Sequence, residues 1–127
     1  MSNNKSFQKL VGLMARLRSK NGCPWDRAQT HTSLKKYLIE EAYEVCDAID
    51  SKDPEKLEEE LGDFLFQVIF HAQLAKERGA FDIEDILKTC YKKMVRRHAH
   101  VFGKRKAKNA EEAYKRWQEI KESERHS

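Results

Sequence analysis

The chain has 127 residues, 39% hydrophobic and 36% charged, with a formal net charge of +4. That composition suits one charge-rich domain with a modest core, and no apolar run approaches the roughly 20 residues of a membrane span. Met1 to Lys5 lead straight into an amphipathic pattern without a signal-peptide core, and Cys23, Cys46 and Cys90 form no metal-binding spacing, so a reduced, cytoplasmic protein is expected.

In chain order, Phe7, Leu10, Val11, Met14 and Leu17 recur at helical spacing and predict a first helix over 5–19. Asn21-Gly22 breaks it, and residues 22–26 read as a loop. Thr32 or Ser33 is the expected cap of a second helix running to about Asp50. Asp53-Pro54 has the N-cap and N1 character that opens a third helix, which runs to about Arg78 with Gly79 at its C′ position. Asp82 opens a fourth helix through about His98. Residues 99–108 read as a loop, and Asn109 caps a last helix carrying Ala113, Trp117 and Ile120. No alternating segment stands out. The expected fold is all-α, about five helices with residues 1–127 as a single domain.

Two groups of carboxylates stand sixteen residues apart within the second and third helices. The first is Glu40-Glu41-Ala42-Tyr43-Glu44 and the second is Glu60-Leu61-Gly62-Asp63. Positions three apart share a helix face, which pairs Glu41 with Glu44 and Glu60 with Asp63. At about 100° per residue, Leu34, Leu38, Ala42, Val45 and Ile49 form the inward arc of the second helix. Glu41 lies at its edge, Glu44 just beyond, and Glu40 further round. Leu57, Leu61, Phe64, Val68, Ala72 and Ala75 form the stripe of the third helix, bordered by Glu60 and then Asp63. Carboxylates bordering an apolar seam are costly unless paired or metal-bound. Hard oxygen donors of this kind suit Mg²⁺, or Mn²⁺ in its place. A salt-bridge network is the competing reading, because residues 92–108 hold eight bases and no acids while 40–63 hold eleven acids and two bases. The metal reading is favoured, and the two charge blocks together suit a metal–polyphosphate ligand.

Phe66 and Phe70 point away from the third helix's stripe. A homodimer with this helix in its interface buries them; the alternative is cover from the first or last helix of the same chain. The pattern favours the dimer. His98 and His100 diverge if helical, which makes a metal pair the weaker reading beside a helix-end role. His71 reads as a hydrogen-bonded boundary residue rather than a base. Cys46 has no His or Lys neighbour to activate it. Nucleic acid is disfavoured as a partner, since no binding motif is present and the carboxylates repel a polymer backbone.

The chain resembles the MazG nucleoside triphosphate pyrophosphohydrolases, within the all-α NTP pyrophosphatase superfamily. The resemblance rests on the Glu-Glu-x-x-Glu and Glu-x-x-Asp segments, on residues 21–26 (Asn-Gly-Cys-Pro-Trp-Asp) with Gln29-Thr30, on residues 60–68, and on residues 96–102 (Arg-Arg-His-Ala-His-Val-Phe). It covers about 7–123 and is strongest to the N-terminal domain of two-domain members. The resemblance implies a four-helix core, usually completed by dimerisation, and hydrolysis of NTPs or dNTPs to monophosphate and pyrophosphate. It also implies Mg²⁺ ligation by Glu41, Glu44, Glu60 and Asp63, with Glu40 helping to position or deprotonate a water that attacks the α-phosphorus. Lys93 and Arg97 match the family's phosphate-contacting positions, and Trp117 and Lys121 match positions near the nucleotide. The alternative it leaves is a weak or silent nucleotide-binding and dimerisation domain of a two-domain protein.

Overall fold

The computed structural model describes residues 4–125. Among them are seven helices and no strands: α1 Asn4–Leu17, α2 Pro24–Ala28, α3 Lys35–Ser51, α4 Pro54–Glu77, α5 Ile83–Arg97, α6 Ala99–Phe102 and α7 Ala110–Arg125. The all-α expectation holds, with two short helices that the sequence reading had as loop. Pro24 has its ring-fixed φ at the first position of α2, and Arg27 donates its backbone N–H to the Cys23 carbonyl. The short α6 likewise stands inside 99–108.

Helix caps follow local chemistry, with one correction. The Asp53 side chain accepts the Glu55 backbone N–H at 3.0 Å and Pro54 follows at N1. Gly79 takes a φ of +73° just past α4, and the Asn109 carboxamide accepts the Glu112 N–H at 2.8 Å. Neither Thr32 nor Ser33 caps α3. Leu34 stands at that N-cap with no side-chain bond, while the Ser33 hydroxyl accepts from the Thr30 N–H and donates to Gln29 Oε1. Ser33 therefore closes the turn before α3 instead of its first turn.

The chain divides into two compact units, one ending at Ile83 and one starting at Glu84. In the first, α3 and α4 pack as an αα-hairpin and α1 lies on α4. Met14, Leu34, Ile69, Phe70 and Leu74 are its buried centre, with Phe7, Leu10, Val11, Tyr37, Phe66 and Ile83 packed around them. The α1 stripe is thus as expected. Phe70 is only 3% exposed and packs with Met14 of α1, with Phe66 against the same cluster, so the alternative of cover from the first helix of the same chain holds and that argument for a dimer falls.

The inward rows of the hairpin also differ from stripes drawn through apolar residues alone. Ala42 and Ile49 of α3 are exposed, as is Leu61 of α4. The residues turned inward on the α3 side are His31, Leu34, Leu38, Glu41, Val45 and Ala48. On α4 the expected Ala72 and Ala75 are buried, and a row of Leu57, Glu60, Phe64, Gln67, His71 and Leu74 is likewise turned from solvent. Both rows step by three and four in alternation, the spacing of one face of a helix. His31 meets His71, with Nδ1 atoms 2.7 Å apart and rings near parallel, and Glu41 meets Glu60. Residue numbers rise along one helix as they fall along the other, so the pair is antiparallel.

Arg18 fastens the open end of this unit. It donates to both Glu77 oxygens, at 3.1 and 2.6 Å, and through Nη1 to the carbonyls of Asp26 and Gln29. The ends of α1, α2 and α4 are held by one guanidinium. In the second unit α6 packs on α7, and Arg96 and Arg97 of α5 pair with Glu124 of α7.

Candidate functional site

Glu41, Glu60 and Asp63 each place a carboxylate oxygen within 4.8 Å of the other two. The antiparallel seam does this. Glu41 occupies an inward position of α3 directly across from Glu60, and Asp63 follows Glu60 by one turn of α4. Glu44, one turn beyond Glu41, is exposed, yet its charge helps raise the pKa of both Glu41 and Glu60. Glu40 is exposed on α3 and stands outside the converging group.

The electrostatics are those of a site short of positive charge. Burial pushes the Glu41 carboxyl above its ordinary range, and the charges of Asp63, Glu60 and Glu44 push it the same way. Glu60 is raised by desolvation and by Asp63, Glu44 and Glu59, against a small opposing effect from Lys56. Glu41 Oε2 is buried with no hydrogen-bond partner. No ion pair between these acids and a base occurs among the described residues. An orphaned carboxylate oxygen among crowded, partly dehydrated acids fits a hard divalent cation. It does not fit the salt-bridge network that competed with it on sequence grounds.

The polar seam continues along α4. Gln67 Oε1 and His71 Nε2 are also buried without partners, and desolvation followed by the nearby His31 lowers the His71 pKa. A stripe drawn through apolar residues alone leaves this row out; at about 100° per residue its members still share one face, and the alternation of three and four from Leu57 to Leu74 was the available signal.

The remaining candidates lie in the second unit. Lys93 and Arg97 stand one turn apart on α5. The Arg97 guanidinium lies 5.7 Å from the Trp117 ring centre and Lys121 Nζ lies 4.9 Å from it. Trp117 stacks on Tyr114 at 5.8 Å with a 17° interplanar angle. A hollow of about 340 Å³ is lined by these two rings with Ala113, His98 and His100. Arg97, Trp117 and Lys121 are therefore brought together. His98 and His100 do not diverge: α5 ends before them, and their rings sit 5.5 Å apart. His98 Nδ1 bonds the Met94 carbonyl at 2.6 Å, a helix-end role.

Comparison with known proteins adds independent evidence. Residues 29–102 match the family described as the MazG nucleotide pyrophosphohydrolase domain, a span that includes all four carboxylates with Lys93 and Arg97. The chain is 55% identical over 119 residues to a nucleoside triphosphate pyrophosphohydrolase/pyrophosphatase MazG of Thermotoga maritima, covering 94% of this chain and 45% of that protein. It is 49% identical over 120 residues to a nucleoside triphosphate pyrophosphohydrolase of Escherichia coli K12, covering 94% and 46%. This chain thus spans about half the length of those relatives. A crystal structure of a mazG-related protein from Thermotoga maritima superposes with a TM-score of 0.72 at 30% identity, over 91% of this chain and 98% of that one. Matched in sequence across most of its length and in fold over nearly all of it, the chain belongs to the MazG nucleotide pyrophosphohydrolase domain family.

Proposed function

We propose that this chain hydrolyses nucleoside triphosphates, NTPs or dNTPs, to the monophosphate and pyrophosphate, with Mg²⁺ as its cation and Mn²⁺ as a substitute. The observation that carries the reading is the convergence of Glu41, Glu60 and Asp63 with an unpartnered Glu41 oxygen in their midst. Support comes from the names of the relatives, which are nucleoside triphosphate pyrophosphohydrolases. Glu41, Glu44, Glu60 and Asp63 are the residues to hold the cation. Bound there, it supplies Lewis-acid polarisation of a phosphate oxygen and a water of lowered pKa.

The protein's own residues do the rest. Glu40, exposed on the neighbouring face of α3, orients the attacking water toward the α-phosphorus and accepts its proton. Lys93 and Arg97 bind the polyphosphate and offset the charge that develops on it. Trp117 offers a flat face for the base, and Lys121 reaches a phosphate oxygen.

A homodimer is proposed on a new ground. Ile39, Tyr43 and Ile49 of α3 and Leu61 and Leu65 of α4 are 40–68% exposed, an apolar surface of the hairpin that a second copy would cover. The helices of the described residues include none long and apolar enough to cross a membrane, and the reaction needs none.

The test is a panel of NTPs and dNTPs with Mg²⁺ and separated products. Monophosphate and pyrophosphate in equal amounts support the reading, and they should disappear for Glu41→Gln. Diphosphate and orthophosphate would contradict it. Nucleotide-dependent thermal stabilisation without any product would instead assign a silent binding domain.

A further inference from the structure

Arg97 does not hang free. Its side chain is only 14% exposed, and it donates through Nε and Nη2 to Glu124 Oε1 at 3.2 and 2.8 Å. Arg96, the next residue on α5, donates its Nε to Glu124 Oε2 at 2.5 Å. One carboxylate thus gathers two adjacent guanidinium groups that would otherwise repel. On α7, Trp117, Lys121 and Glu124 follow one another at helical spacing on one face, and the Trp117 ring has Arg97 and Lys121 against it. Arg97 is therefore clamped between a carboxylate and an aromatic ring.

We infer that Glu124 is a positioning residue that holds the Arg97 guanidinium in the orientation in which it meets a phosphate group. The inference rests on the proposed role of Arg97. Glu124 uses the Nε edge and one Nη2 proton, which leaves the two Nη1 protons and the second Nη2 proton for ligand oxygens. An arginine side chain carries large rotamer freedom, and an arginine already fixed in place loses less on binding. Hydrogen bonds from Arg97 and Arg96 pull the Glu124 carboxyl down to about 2, so the clamp stays ionised at any working pH. The competing idea is that Glu124 acts as a stand-in phosphate that the nucleotide must displace. It predicts the opposite sign, because removing a competitor tightens nucleotide binding.

The experiment is steady-state kinetics of the full chain with Mg²⁺ and a preferred NTP, for Glu124→Ala, Glu124→Gln, Arg97→Ala and the Arg97→Ala/Glu124→Ala double variant. Nucleotide affinity is measured by calorimetry alongside. Losing a charge-assisted hydrogen-bond pair at a partly exposed site should raise KM about five- to tenfold for Glu124→Ala, with kcat within about twofold. Glu124→Gln, which keeps an acceptor, should fall between it and the parent. The double variant should be no worse than Arg97→Ala alone. Thermal melts and Mg²⁺ titration establish that the carboxylate site is intact; if Glu124→Ala fails to fold, Glu124→Gln decides. An unchanged or lowered KM for the Glu124 variants overturns the inference, as does full additivity with Arg97→Ala. If Arg97→Ala itself leaves KM and affinity unchanged, the phosphate-binding role of Arg97 fails and the inference with it. If Arg97→Ala weakens binding and the Glu124 variants do not, only the inference falls.

Discussion

Glu41 carries the main tension in this molecule. It stands in the inward row of α3, where Leu38 and Val45 are its neighbours one turn to each side, and it faces Glu60 and Asp63. Its raised pKa means that the ionised form is disfavoured in the fold relative to the unfolded chain. The sign follows: the penalty is present above the raised folded-state pKa and is relieved as pH falls toward the ordinary value of 4.5. Glu41→Gln should therefore melt a few degrees (roughly 2–5 °C) above the parent at neutral pH in chelator, and that gain should shrink toward pH 4.5. The same variant should lose most of the stabilisation that Mg²⁺ gives the parent. Comparing variant with parent isolates this effect from Glu77, Glu124 and His71. Those three have lowered folded-state values, so each supports the fold above its unfolded pKa and loses that support as pH falls. A melting temperature for Glu41→Gln at or below the parent's in chelator would contradict a charge-strained site.

Among the elements, two backbone positions separate what the sequence announces from what it hides. Lys52 ends α3 in the left-handed region, at φ 61°, a conformation that costs a residue with a Cβ about 1 kcal/mol or more. Lys52→Gly should raise stability by roughly 0.5–1 kcal/mol, read by denaturant melts. Gly22 is the reverse case. A Cβ there would stand 2.2 Å from the Leu17 carbonyl oxygen and 2.3 Å from that of Arg16, so Gly22→Ala should destabilise by about 1–3 kcal/mol. Gly79, Asp53-Pro54 and Asn109 were legible because each acts locally, through φ or a side-chain cap within three residues. Gly22 was legible as a break but not as a steric necessity, because its neighbours are carbonyls made to point at it by the end of α1. The inward rows of α3 and α4 were partly legible. Arcs centred on apolar residues alone put Ala42, Ile49 and Leu61 inside and Glu41 at the edge, whereas the face that the two helices share includes the polar Glu41, Glu60, Gln67 and His71. That shift moves Glu41 inward and strengthens the metal reading. Phe66 and Phe70 were misplaced because one helix's pattern does not say which neighbour lies on its second face; Met14 and the rest of α1 do.

At the scale of the whole molecule, the two candidate clusters fall in different units, with the Glu41, Glu60 and Asp63 carboxylates before Ile83 and the Arg97, Trp117 and Lys121 group after Glu84. The carboxylate spacing was plain in the sequence, while the Glu124 clamp was not, because a pair 27 residues apart leaves no local trace. The exposed Ile39, Tyr43, Leu61 and Leu65 should bring two copies together. Light scattering on a sizing column should give twice the chain mass for the parent and a single chain mass for Leu65→Glu; a monomeric parent would contradict the dimer. The central claim concerns which phosphorus is attacked, and isotope labelling tests it most directly. Turnover of an NTP with Mg²⁺ in ¹⁸O-enriched water should place the label in the nucleoside monophosphate and leave pyrophosphate unlabelled. Label in pyrophosphate, or release of diphosphate and labelled orthophosphate, would contradict attack at the α-phosphorus.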